Sequence, residues 1–472
     1  MAPGASNEMP QKQPTKARGI DFKLVSIFAV PMALVWAGVE QVRPLTSIFD
    51  DADVLDTRLK RAEAAGFSFQ EIDFKSKPVA PAHDAYLVIE KASKEKFFEY
   101  DQWKVINDFA NLDSPTLDQT SAKQIAFAQA VAQRPKIDPR PDLYLTSPDT
   151  VVCPPRLKNA VSALTYDALR SARHKKPKEA VDALKLAFKV VAHFRAENDN
   201  YNTSHSYGAQ NRLYSTIVRV AHELRGNKKY LDELEQLLKI DPVSPDLFAE
   251  MRLELFRICS AINDFQGYDQ FTSSMIFVTG PDSCASEAEL NPREDPFHRQ
   301  PAEKPLFKQG LKSKAVAIYT EFNRILKSER SLREAGRKMD ELELSQRGGL
   351  FGDYLDYLIL EGREQYYALS QKPTIYQSLA KWGLEIASTY TGAYPLDLSP
   401  RKDNFLGGEL RYRKVGKHFA LYSTGLDGKD NGGPWLESGK TNSKRGDDFG
   451  LYVSEKPNTS SAPSVLPGRP NS

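Results

Sequence analysis

The chain has 472 residues, with 64 Lys and Arg against 62 Asp and Glu and a formal charge of +2 at pH 7. That length exceeds one ordinary hydrophobic core and predicts two or three folded units, while the near-neutral balance excludes a field that would gather nucleic acid along the whole molecule. A charged fraction of 27% and a hydrophobic fraction of 40% exclude a multispan membrane protein, and three cysteines without a CxxC pair speak against structural zinc.

Residues 1–20 form a polar leader carrying Lys12, Lys16 and Arg18, and Lys23 precedes an uncharged run over residues 24–39, LVSIFAVPMALVWAGV. Such a run lies between the shortest spanning helices and the longest signal-peptide cores, and Trp36 suits a membrane interface. Basic residues before the run place the amino terminus in the cytoplasm and everything after Glu40 outside it. Two readings stand: a single transmembrane anchor over residues 21–40, which we prefer, and a cleaved signal with Val35 and Ala37 before Gly38. Both carry the body across the membrane. The expectation is therefore a single-pass protein of the bacterial inner membrane with a periplasmic or extracytoplasmic bulk.

Residues 41–155 read as a helical part ending in a proline-rich connection. Leu55, Leu59 and Ala62 have helical spacing, and a further helix is predicted over 85–112, where Phe97, Phe98, Tyr100, Trp103 and Phe109 are read as core. A helix follows over 121–133. The five prolines within 137–155 predict a long surface connection. Residues 156–392 read as one helical domain, with Val181, Leu184, Phe188 and Val191 at steps of three and four, and likewise Leu213, Ile217, Val220 and Leu224, and Met251, Leu255, Ile258 and Ile262. Antiparallel helices of this kind make a bundle or an irregular solenoid.

Within that block Ser244, Pro245 and Asp246 predict a helix start. His193 precedes and His205 lies within the polar stretch 196–207, read as a solvated interhelical loop, because adjacent Ser and His residues without an orienting third group make no catalytic pair. Cys259 falls on an apolar helix face and is read as buried, whereas Cys153 and Cys284 lie in loops and could pair in an oxidising compartment. Residues 280–305 read as a polar linker, 312–345 as a charge-laced surface helix, and 354–369 and 376–390 as two more helices. Gly348, Gly349 and Gly352 lack the Lys-Ser/Thr ending of a phosphate loop.

Residues 393–454 form a distinct small β module. Leu410 and Tyr412 alternate with Arg411 and Arg413, Val415-Gly416-Lys417 supplies a turn, and Phe419 and Leu421 alternate on a return strand that ends at Ser423. Asp427, Asp430 and Asn431 follow among Gly425, Gly428, Gly432 and Gly433, and Asp447 and Asp448 lead into one more short strand. Two readings of these acids stand: a turn capped by its own carboxylates, and a hard-cation site with several oxygens on glycine-permitted backbone. Residues 455–472 are Pro- and Ser-rich and are predicted to be disordered.

The sequence of YP, LRYR, FALYSTGLDGKDNGG and DDF over residues 394–453 resembles the calcium-binding end of the major pseudopilins of type II secretion systems. The matching positions are Ser423, Asp427, Gly428, Gly432, Gly433 and Asp448. The resemblance implies Ca2+ held by Asp427 and Asp448, with Asp430 a further candidate ligand, in a module that in that family supports a pilus-like filament; envelope protein partners are expected. No cofactor other than calcium, no nucleic-acid partner and no catalytic residue is expected. The chain reads as a mainly α, non-enzymatic envelope interaction or scaffold protein; the alternative is an extracytoplasmic hydrolase or ligand-binding receptor with its site in the helical domain.

Overall fold

The structure, a computed structural model, describes residues 51–74, 78–94, 115–138, 153–194, 200–244, 246–264, 305–346, 363–415, 418–425, 427–433 and 448–453. The predicted anchor over 21–40, the aromatic set 97–109, Cys284, the linker 280–304 and the tail 455–472 lie outside the described residues. Among the described residues no helix is long and apolar enough to cross a membrane. The fold is mainly helical, with a small antiparallel sheet near the end of the chain.

Helical periodicity translates directly into elements. The helices are α1 (Leu55–Ala64), α2 (Ala85–Lys94), α3 (Pro115–Ala132), α4 (Cys153–Arg173), α5 (Pro177–His193), α6 (Asn200–Glu223) and α7 (Lys228–Leu237). After them come α8 (Leu247–Asp264), α9 (Pro305–Ser328), α10 (Leu332–Gln346), α11 (Arg363–Leu369) and α12 (Lys372–Ser388). Val181, Leu184 and Val191 of α5 are buried together, as are Leu213, Ile217 and Val220 of α6, so the three-and-four spacing marks the faces it predicts.

Several local expectations are corrected. Cys153, with Pro154 and Pro155, opens α4 instead of ending a loop, since the first-turn N–H groups that proline lacks have no acceptor within the helix. The stretch holding Ser204, His205 and Ser206 is helical, not a solvated loop, and Ser206 is buried. A partner distant in sequence satisfies it: the Gln210 amide donates to Ser206 Oγ (3.0 Å) and Val243 O (2.9 Å) and accepts from Val243 N (2.8 Å). The cap of α8 is Asp246, whose Oδ1 accepts from Ala249 N at 3.0 Å, and not Ser244. The single helix expected over 312–345 is two, because Ser331 Oγ accepts from Glu334 N and starts α10 afresh. Of these two, α9 is no surface helix: Phe307, Leu311, Val316, Tyr319 and Phe322 are buried along it.

These helices build two hydrophobic cores. The first gathers α2 through α7, α12 and the sheet; the second gathers α1, α8, α9, α10 and α11. The chain passes from the second core to the first at the end of α11, where Tyr367 lies in the second core and Ala368 in the first. Gly383 explains how closely α12 beds into the first core, since a Cβ there would lie 2.6 Å from Val218 Cγ1 on α6.

The sheet has the order β1-β2-β3-β4, all antiparallel: β1 (Arg401–Lys402), β2 (Glu409–Val415), β3 (His418–Ser423) and β4 (Phe449–Val453). The predicted hairpin forms with Val415 opposite His418 and Tyr412 opposite Leu421. Leu410, Tyr412, Phe419, Leu421, Leu451 and Val453 turn one face onto the helices. An aromatic seam joins that face to α6: His222 packs on Tyr394 at 5.1 Å, Tyr394 on Phe419 at 4.8 Å, and Phe419 on Tyr412 at 5.7 Å.

Candidate functional site

The acids singled out in the sequence come together on the outer face of the sheet. Period-two alternation puts Arg411 and Arg413 on that face, opposite Tyr422 and Ala420 of β3. The chain after β3 folds back over them. Gly425, Gly428, Gly432 and Gly433 all have positive φ, and a Cβ at Gly433 (φ 87°) would meet the Tyr422 ring at 3.0 Å. Arg413 Nη1 donates to Gly432 O at 2.9 Å, which pins the loop to β2.

Each carboxylate has a different task. Both oxygens of Asp430 are engaged: Oδ1 accepts from Gly432 N (2.9 Å) and Tyr422 OH (3.0 Å), and Oδ2 from Arg411 Nη1 (2.9 Å). Asp427 Oδ1 accepts from Lys429 N at 2.9 Å, and the Asn431 amide reaches Asp427 Oδ2 at 3.5 Å. Asp448 arrives from the start of β4, and its Oδ2 accepts from Asn431 N (2.9 Å) and Gly433 N (2.8 Å). Asp448 Oδ1 is buried and has no hydrogen-bond partner among the described residues.

Burial raises the Asp448 carboxyl above the ordinary carboxylate range; the Gly433 and Asn431 N–H groups oppose this, and the charges of Asp430 and Asp427 add to it. The Tyr422 hydroxyl is likewise pushed up, first by burial and then by its bond to Asp430. Asp448 Oδ1, without a donor among the described residues and beside further carboxylates, is the oxygen of this loop to which a hard cation would be drawn first. Both Asp430 oxygens are already engaged, by a guanidinium, a phenol and a backbone N–H. Among the described residues no group of three or more His, Cys, Asp or Glu side chains is arranged to hold a metal ion. Asp447 lies outside the described residues.

Sequence reasoning missed two residues that support the module. Asp403 is buried; its Oδ1 accepts from Phe405 N (2.9 Å) and Leu406 N (3.2 Å), and Ser423 donates to its Oδ2 at 2.8 Å. Ser423 thus ties β3 to the β1–β2 turn. The local signal for Asp403 was an acid two residues before Phe405, the pattern of an Asx turn. Arg411 as the partner of Asp430 had no local signal at all, because the two meet only when the loop folds back.

The remaining candidates do not assemble into a reactive site. His193 is buried at the end of α5, and burial lowers its pKa against the backbone of Val131 and Arg134 and the charge of Asp84. Cys259 is a free, buried thiol, as expected, and burial pushes it up to about 12, which leaves it protonated and unreactive. A second polar cluster, unforeseen, lies inside the second core: Arg363 Nη2 donates to both Glu254 oxygens at 3.2 Å and to Tyr319 OH at 3.2 Å, under the Phe322 ring at 4.6 Å. Tyr366 OH donates to Glu250 at 2.8 Å one turn away. These groups are side chains of packed helices that pair with one another, although Arg363 Nε has no hydrogen-bond partner among the described residues. Comparison of the chain with family models, with curated proteins and with solved structures finds no match in any of the three.

Proposed function

We propose that this chain is a membrane-anchored extracytoplasmic protein of the bacterial envelope, an interaction or scaffold protein associated with secretion, whose C-terminal module is stabilised by calcium. In this reading residues 21–40 are a single transmembrane helix, the two helical cores form an irregular bundle outside the cytoplasm, and residues 393–454 are a pseudopilin-like end. The observation that carries the calcium part of this reading is the Asp448 carboxylate: one oxygen holds two backbone N–H groups of a glycine-rich loop, and the other has no donor among the described residues. Asp427 and Asp448 would hold the ion, and Asp430, locked by Arg411, would brace the loop. Bound calcium supplies the positive charge that offsets repulsion among the three acids.

Two measurements test the parts separately. Calcium should raise the melting temperature of the full chain, and Asp427→Ala with Asp448→Ala should abolish the rise; a native chain indifferent to calcium removes the metal. Alkaline carbonate should leave the chain in the membrane pellet, and a shortened chain in the supernatant would replace the anchor with a cleaved signal. Cross-linking in native membranes then identifies the neighbours that a scaffold must have.

A further inference from the structure

Two turns at one end of the first core gather positive charge that the near-neutral composition conceals. The turn from α4 to α5 and the turn from α6 to α7 meet there, since Arg173 at the end of α4 lies 3.5 Å from Glu223 at the end of α6. Residues 170–179 and 223–229 hold eight Lys and Arg against two acids, in a chain whose formal charge is +2. Both acids are already engaged, Glu223 by Arg173 and Glu179 by Lys176 at 3.2 Å. Lys175, Lys178 and Lys228 are exposed and form no salt bridge among the described residues, and the exposed Lys229 lies over the Tyr230 ring at 5.3 Å.

Apart from Lys229, whose charge acts on Glu233 one turn along α7, the local structure does not call for these cations. Helix amino termini disfavour positive charge, yet Lys178 is in the first turn of α5 and Lys228 and Lys229 open α7. Lys175 has φ 60°, a conformation that glycine adopts without strain and that Gly226 (φ 86°) supplies at the neighbouring turn. Lys175, Lys178 and Lys228 are thus kept where the fold alone would favour other residues.

The character of the surface selects the partner. The exposed large hydrophobic side chains among the described residues, such as Ile240 and Leu396, all lie outside both turns. A specific protein partner is gripped by aromatic or aliphatic anchors in a desolvated centre, and this end has none. Single-stranded nucleic acid stacks on open aromatic faces, whereas Tyr230 and Tyr390 are covered here by Lys229 and Arg225. Cations on a wet, unanchored end match a diffuse layer of phosphates. We propose that this end of the helical body docks on an anionic lipid headgroup surface through Lys175, Lys178, Lys228 and Lys229. The inference rests on the membrane-tethered reading, which puts such a surface within reach, and is independent of the calcium loop.

The test uses the full chain reconstituted into phosphatidylcholine vesicles with or without phosphatidylglycerol, pulse-acetylated and analysed by peptide mass spectrometry. The four lysines should react about fivefold or more slowly in the anionic vesicles, a ratio that added salt removes, while Lys327 on α9 reacts equally in both. Lys228→Gln with Lys229→Gln should weaken the protection of Lys175 and Lys178, and the Arg pair at the same positions should keep it. Equal reactivity in the two vesicle types overturns the proposal, as does protection by duplex DNA without protection by lipid. Carbonate treatment of the same vesicles reads the anchor separately: a retained chain with reactive lysines overturns the docking surface alone, and a released chain with protected lysines overturns the anchor alone.

Discussion

Replacing Asp448 by Asn and by Ala separates what its carboxylate does for the fold from what it does for an ion. In Asp448→Asn the amide oxygen can still accept from Asn431 N and Gly433 N, and the repulsion from Asp430 and Asp427 disappears. Exchanging charge-assisted for neutral hydrogen bonds costs about as much as relief of partly exposed repulsion returns, so calcium-free stability should change by less than about 1 kcal/mol. In Asp448→Ala the buried Gly433 N–H loses its acceptor while exposed Asn431 turns to water, a loss of about 1–3 kcal/mol. Calcium at a hundred times its dissociation constant should add about 2.7 kcal/mol to the native protein and nothing to either variant. Urea unfolding of the full chain, with calcium and with chelator, measures all of these quantities. The sign with pH is also defined. The folded Asp448 pKa is raised above the ordinary carboxylate value of 3.8, so without calcium this group's contribution is full below that value and is lost as pH rises through the folded pKa. Asp448→Asn should remove that slope. An Asn variant that still gains from calcium, or an Ala variant as stable as the Asn variant, refutes the reasoning.

Three further outcomes follow from other parts of the molecule. Glu254→Ala strands the fully buried Arg363 guanidinium and should cost about 3–5 kcal/mol in urea unfolding, whereas Glu254→Met with Arg363→Met should cost less than the single change. His222 is buried, and its Nε2 lies 2.7 Å from Arg225 Nη1; burial and then Arg225 bring its pKa down to about 4 from 6.5. Its contribution is therefore full above pH 6.5 and lost as pH falls toward 4, by up to about 1.4 kcal/mol per pH unit. His222→Gln should flatten the stability profile in that window, and an unchanged profile would assign the slope to other groups. Lys175→Gly should raise stability by about 1 kcal/mol through relief of the positive φ, and a loss of stability would mean that the lysine side chain contributes more than its backbone costs.

Much of the local architecture was legible in the residue order. The β2–β3 hairpin and the faces of α5, α6 and α8 could be read because side chains repeat every two residues in a strand and every 3.6 in a helix, and burial of one face follows from that repeat. Of the candidate site, the glycines and the three acids were visible, since backbone freedom and oxygen ligands are properties of single residues. Their division of labour was not. Whether Asp430 faces an ion or Arg411 depends on a loop folding back over β2, and no local pattern records that.

The same limit explains the other differences. Ser204, His205 and Ser206 have the composition of a loop, yet they are helical because α6 packs against α4, α5 and α12 and Gln210 finds Val243 more than thirty residues away. The periodicity of α9 marked an apolar stripe but could not show that α1 and α8 would cover it. Nor could it show that the helical run divides into two cores, with α1 joining the later helices rather than its neighbours. Residue order was enough to place the apolar face of α5, α6 and α8 and the β2–β3 hairpin, because those depend on residues a few positions apart, but it misassigned the starts of α4 and α6 and the break between α9 and α10. Which apolar faces meet, which buried charges pair and which acid keeps an oxygen without a donor emerge on folding, because each depends on groups brought together from distant parts of the chain.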